Sequence, residues 1–275
     1  MDALITLILQ YLVPAAIIAV VFSLVLFLLP REVRTIFKRE LKAYFTSPIA
    51  YVLFVVFLGI SNGLAFFFFK VLESGEADIF GPFFQWLPWY FVIIIPAVGM
   101  RLWSEEQRLG TMELVFTMPI APWQAIFGKY LAAAVIVFLM LVLTCPIVWT
   151  VNYLGNPDNG VIFSGYVASL MLALSFLAVT SAVSAFTRSQ IVAYLISLVI
   201  ALVMVLGSFP DVVDLTMNIS GIGGFLAGLI NKIGVWLHFS EMAKGNFQIR
   251  DFVFFLSIIG FSLFATAVAL RVKRS

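Results

Sequence analysis

Ionisable and nucleophilic side chains are sparse in this 275-residue chain, and most of them stand where apolar runs end. The densest group is Arg101–Leu114, which carries Arg101, Ser104, Glu105, Glu106, Arg108, Thr111 and Glu113, with Gly110 inside it and Leu114 at its end. Taken by itself, the charged stretch Ser104–Leu114 reads as a solvated loop. Gly128-Lys129 is the sole Gly-Lys pair. A phosphate-cradling loop needs an earlier glycine at fixed spacing and a Ser or Thr after the lysine. Trp123 and Tyr130 occupy those places, so the chain is not expected to hold ATP in this way. His238 is the only histidine and Cys145 the only cysteine. A histidine metal site, a Ser-His-Asp arrangement and a disulfide framework therefore lack parts. His238 reads as an interfacial polar residue.

The elements that must position these groups are set by composition. Hydrophobic residues make up 63% of the chain and charged ones 11%, with a mean hydropathy of +1.12. A soluble domain is about half apolar and about a quarter charged, so lipid is the expected solvent here. Crossing a bilayer core about 30 Å thick takes roughly 20 residues of helix. Seven stretches meet or approach that length: Leu4–Leu29, Ile49–Phe69, Phe83–Met100, Ala125–Tyr153, Tyr166–Phe186, Ile191–Phe209 and Phe252–Leu270. The expected fold is an all-α membrane protein of about seven transmembrane helices. Leu4–Leu29 lacks a basic leader and a small-residue cleavage site, which predicts a retained span over residues 1–30 rather than a signal peptide. Pro88 and Pro96 predict a kink in the third stretch. The fourth is long enough to tilt or to project beyond the lipid.

These spans hold essentially no Asp, Glu, Lys, Arg or His, which argues against proton coupling and intramembrane acid–base catalysis. Asn62, Thr144, Thr180, Ser181, Ser184 and Ser197 are the polar residues at depth. They suit interhelical hydrogen bonds, or a polar path for a substrate.

Placing the segment after the first span in the cytoplasm leaves only Lys70, Lys232, Lys244 and Arg250, of 16 Lys and Arg, on the outer side. This positive-inside bias predicts an outer N-terminus and a cytoplasmic C-terminus. Between Arg31 and Phe45, Val33, Ile36, Phe37, Leu41 and Tyr44 share one helical face, while Arg31, Arg34, Lys38 and Lys42 line another. The pattern predicts a helix in the inner interface, either binding anionic lipid or relaying motion from a cytoplasmic partner. Arg101–Gln124 is the one sizeable cytoplasmic excursion between core spans. Ser104 followed by Gln107 predicts a capping box, Gly110 a helix stop, and Pro122 the first turn of the next span. Two short helices are expected, Glu105–Leu109 and Met112–Thr117. On the outer side, residues 210–251 are too apolar for a solvated loop and too glycine-broken for a span, so short interfacial helices are expected there.

The run Met100-Arg101-Leu102-Trp103-Ser104-Glu105-Glu106-Gln107-Arg108-Leu109-Gly110-Thr111-Met112-Glu113-Leu114, followed by Thr117-Met118-Pro119-Ile120, resembles the ABC type-2 (ABC-2) transporter permease family. Within it the sequence looks most like the gliding-motility-type, GldF-like subgroup. Glu40–Tyr51, Gly128-Lys129-Tyr130-Leu131, His238-Phe239, Lys244-Gly245 and Arg250-Asp251 agree. The resemblance covers residues 31–275, leaving Leu4–Leu29 as an additional leading helix. It implies a six-span type-2 ABC exporter core that is not itself an enzyme and holds no cofactor. ATP and Mg belong on a partner ATP-binding subunit, present in two copies. A second permease subunit, identical or related, completes the transporter. Arg101, Ser104, Glu105, Glu106, Gly110, Thr111, Glu113 and Leu114 would form the coupling helix within residues 101–124. The helix of residues 31–46, with Arg31, Arg34, Lys38, Arg39 and Lys42, would be the connecting helix. The implied location is a bacterial cytoplasmic (inner) membrane, with lipid but no nucleic acid as partner. The alternative is a non-transporting anchor or mechanical coupler that meets an envelope or auxiliary protein through its leading span.

Overall fold

The computed structural model describes residues 29–68, 80–112, 121–155, 157–210, 212–213 and 233–273. Among them there are helices and turns but no strand. The protein is an all-α membrane protein. Among the described residues, five helical segments are long and apolar enough to cross a bilayer: Pro48–Phe66, Phe84–Leu109, Pro122–Tyr153, Asn159–Phe186 and Ile249–Val272, with Gln190–Leu206 a shorter apolar one. They fall where six of the seven stretches were expected. The seventh, Leu4–Leu29, lies outside the described residues except for Leu29, and much of the outer segment 210–251 lies outside them too.

Helix α1 (Arg31–Thr46) has the amphipathic character its sequence predicts, burying Val33, Ile36, Phe37 and Tyr44. Ser47 is extended because it precedes Pro48, and this separates α1 from α2 (Pro48–Gly63). A π turn, Leu64–Phe68, continues α2. A 3-10 turn, Phe84–Trp86, leads into α3 (Leu87–Gly99), with Pro88 in its first turn and Pro96 inside it. Only Met100 separates α3 from α4 (Arg101–Leu109). The expected short helix from Glu105 thus begins earlier, as a continuation of the span.

The stretch expected as one long fourth span is two helices, α5 (Pro122–Val142) and α6 (Cys145–Leu154). Pro146 cannot donate the N–H that a continuous helix would need, so the chain yields at Leu143 and Thr144. The Thr144 hydroxyl bonds Leu141 O at 2.7 Å and lies 2.9 Å from the Tyr166 hydroxyl.

Helix α7 (Asn159–Phe186) is the hub, capped by Asp158 and in contact with α3, α4, α5, α8 (Gln190–Leu206), α9 (Trp236–Ala243) and the last helix, Ile249–Val272. Helix α10 runs Ile249–Val272. Small residues let α7 lie this close to its neighbours. A Cβ on Gly165 would come within 2.5 Å of the Phe84 ring, and one on Gly99 within 2.8 Å of Thr180. Ser169 and Thr180 give their hydroxyls to carbonyls of their own helix, at 2.7 and 2.8 Å. Apolar side chains remain exposed along α2 (Tyr51, Val52, Val55) and α8 (Ile191, Leu195, Val199), as lipid-facing or partner-facing surface requires.

The bundle has two unlike poles. One gathers α1, α4, the start of α5 and the ends of α7 and α10. The other gathers the 3-10 turn, α9 and the end of α8, where Val235 N donates to Met204 O at 2.8 Å.

Candidate coupling site at the basic pole

Helix α4 is held from three directions. The first is α7, through Ser184. Its hydroxyl donates to Met100 O at 2.8 Å and accepts Trp103 N and Ser104 N at 3.1 and 3.0 Å. A helix start leaves N–H groups without intrahelical partners, and this hydroxyl serves two of them from another span. The expected capping box does not form, because Ser104 lies inside α4 and donates to Met100 O at 2.6 Å. Gln107 turns instead to α7, donating to Ala185 O at 2.8 Å. Trp103, 1% exposed, donates its ring N–H to the Ser181 hydroxyl at 3.2 Å.

The second direction is α10. Lys273 donates to Gln107 Oε1 and, at 2.9 Å, to Ala185 O. Partial burial, and then the nearby Arg188 charge, hold the Lys273 ammonium below its ordinary range.

The third is a charge cluster joining α1, α4 and α5. Lys129, its side chain only 4% exposed, places Nζ 3.0 Å from Glu106 Oε1 and 3.3 Å from Glu40 Oε1. Arg39 Nη2 lies 2.8 Å from Glu40 Oε1 and 3.6 Å from Glu106 Oε1. The Lys129 ammonium also lies 5.2 Å from the centroid of the Trp103 ring, within cation–π range. Two cations face two carboxylates, so the cluster is neutral. Burial alone would raise the Glu40 carboxyl, but Lys129 and then Arg39 outweigh it and leave it below the usual carboxylate range.

The approach of α1 to α5 that makes this possible depends on Gly128. A Cβ there would lie 2.9 Å from Ile36 Cβ and 3.2 Å from Val33 O. Further along α1, the buried Tyr44 hydroxyl donates to Val98 O at 2.9 Å. The Arg101 guanidinium lies 4.5 Å above the Tyr44 ring and donates to the Ser47 hydroxyl at 3.0 Å.

The residues expected in the coupling segment thus separate by face. Arg101 turns to the α1–α2 junction, Ser104 is buried against α7, and Glu106 turns in toward Lys129. Glu105 is half-buried. Gly110 ends α4 in the left-handed region at φ 69°, and Thr111 N then donates to Glu106 O at 3.0 Å. Arg108, Leu109 and Gly110 are exposed. Glu113, Leu114 and most of the expected helix Met112–Thr117 lie outside the described residues. In α1, Arg31, Lys38, Arg39 and Lys42 are exposed, and Arg34 donates to Leu29 O at 3.3 Å. Glu40, Gln107, Lys129, Ser184 and Lys273 were not among the residues expected in the coupling segment or the connecting helix. In sequence Lys129 stands out as the lysine of the sole Gly-Lys pair, and Ser184 as one of several hydroxyls at depth suited to interhelical hydrogen bonds, which it makes.

At the opposite pole His238 Nδ1 lies 2.6 Å from Oδ1 of the fully buried Asp251, and its ring stacks on Phe254 at 4.0 Å. This ties α9 to α10. No group of three His, Cys, Asp or Glu able to hold a metal converges among the described residues.

A bundle of helices long and apolar enough to cross a bilayer defines a polytopic membrane protein. The chain belongs to the ABC-2 transporter family: it matches the family described as ABC-2 family transporter protein over residues 34–273. It is a membrane permease subunit of an ABC transporter, and the family implies association with an ABC ATP-binding subunit and with the membrane. No curated protein matches the chain.

Proposed function

We propose that the chain is the permease subunit of an exporter, in which a separate ATP-binding subunit docks against the exposed end of α4 and drives transport. The observation that carries this reading is the two-sidedness of α4. Arg108, Leu109 and Gly110 are open at the basic pole, while the rest of the helix is bound to α1, α5, α7 and α10. A push on the open end would reach four helices at once, as rigid-body transitions require. ATP and Mg would be held by the partner. Two permease chains and two ATP-binding subunits would complete the complex in a bacterial inner membrane, with the basic pole cytoplasmic. The GldF-like subgroup and an additional leading helix belong to the same proposal. The mechanical-coupler alternative has its motive in residues 4–28, outside the described residues, and no observed contact favours it.

The test is co-purification of the full chain with its ATP-binding subunit, in native form and as the double variant Arg108→Glu, Leu109→Asp. The native chain should retain the subunit and the variant should lose it. Retention by the variant would move docking away from α4. Failure of the native chain to retain any ATP-binding subunit would overturn the reading as a whole.

A further inference from the structure

We infer that Lys129 is a positioning residue for coupling, the buried pin that makes α1, α4 and α5 move as one body. The inference rests on the exporter reading and adds to it which internal contact passes the motion on.

The geometry singles out Lys129 among the cations of the basic pole. Its side chain is 4% exposed, whereas Arg39, in the same cluster, is 53% exposed. Its ammonium reaches one carboxylate on α1 and one on α4 from its own place on α5. It thus contributes two of the cluster's cross-helix links, and the third, Arg39 to Glu106, is longer at 3.6 Å. Gly128 beside it lets α1 approach close enough for Glu40 to arrive. Trp103 closes the cluster from α4.

A buried ion cluster is a poor device for stability alone. Desolvation offsets much of the attraction, and well-packed neutral groups of similar volume often serve as well or better. What such a cluster provides is a demand for one arrangement. If α4 slid past α5, Glu106 would leave the ammonium, and the buried Lys129 would keep only its more distant partner, Glu40. Sliding of α1 would separate Glu40 in the same way. A displacement of α4 is therefore cheapest when α1 and α5 accompany it. Glu106 Oε2 has no hydrogen-bond partner among the described residues, so the carboxylate is held here through Oε1 alone.

Stability and coupling can be measured separately in the complex of full-length permease and ATP-binding subunit. Three variants are compared with native: Lys129→Met, Lys129→Arg, and the neutral set Glu40→Gln, Glu106→Gln, Lys129→Met. The readouts are the melting temperature of the complex, its yield on co-purification, and ATP turnover above that of the ATP-binding subunit alone. Lys129→Met should lower both melting temperature and turnover, since it leaves two largely buried carboxylates with the exposed Arg39 alone. The neutral set should recover melting temperature and yield while turnover stays down by about fivefold or more, the lower range of allosteric coupling. Lys129→Arg should keep turnover within about twofold of native. Recovery of turnover together with melting temperature in the neutral set would overturn the inference and leave the cluster structural. Full turnover in Lys129→Met would overturn it also. Either result leaves the exporter reading intact, because the complex has formed and hydrolyses ATP. A native chain that binds no ATP-binding subunit would bring down both.

Discussion

At the scale of single residues, the basic pole depends on polar atoms that serve more than one helix. Ser184 is the clearest case, since its hydroxyl occupies the break between α3 and α4 and satisfies two backbone donors there. Ser184→Ala leaves those donors buried without that acceptor, a cost of about 1–3 kcal/mol. The expected result is a lower melting temperature in detergent or nanodisc. Ser184→Thr, which keeps the hydroxyl, should lose less. Glu40 makes a prediction about acid. Its folded carboxyl lies below its ordinary value of 4.5, so the folded state holds fewer protons than the unfolded one near that pH. The stability Glu40 contributes is fully present above about 4.5 and is lost as pH falls through the lower folded value. Thermal unfolding followed over that window should show a steeper acid loss in the native chain than in Glu40→Gln. The interhelical bonding of Ser184 was legible in sequence as a hydroxyl at depth, but its partners and the roles of Glu40 and Lys129 were not. Lys129 finds its acids on α1 and α4, far away along the chain. Locally it is one cation after a glycine at a span end, and its ordinary meaning is the positive-inside bias.

At the scale of elements, hydropathy located the apolar helices well, because burial in lipid leaves a long local signal. It did less well where a helix is interrupted by something local or distant. Pro146 stood in plain view, yet length alone read Ala125–Tyr153 as one helix, whereas α5 ends at Val142. The start of α4 was misplaced for another reason. Ser104 and Gln107 have the spacing of a capping box, but a hydroxyl from α7 takes the cap and Gln107 is drawn to Ala185 O. The α1–α5 contact yields a direct test. Gly128→Val adds bulk where a single Cβ already falls 2.9 Å from Ile36. Overpacking of this kind costs about 1–3 kcal/mol. Its effect should appear as faster amide hydrogen exchange in Arg31–Thr46, with α9 unchanged.

At the scale of the whole molecule, charge and structure agree on a division into two poles. Cysteine labelling in intact cells can read it. On a Cys145→Ala background, a membrane-impermeant maleimide should reach Asn246→Cys from one side of the membrane, and Arg108→Cys and Lys38→Cys only from the other. Labelling of Arg108 and Asn246 positions from the same side would contradict the arrangement of the bundle. The cluster at the basic pole also bears on how the bundle is made. Translation delivers Glu40 first, Glu106 next and Lys129 last. Domains assemble during synthesis from the N-terminal side, but here the first two helices of the cluster emerge holding carboxylates whose buried counter-ion has not yet been made. Until α5 leaves the ribosome, Arg39 is the only cation of the cluster available to them. The contacts of α4 with Ser184 and Lys273 come later still, so the parts that hold this pole together are spread along the whole order of synthesis.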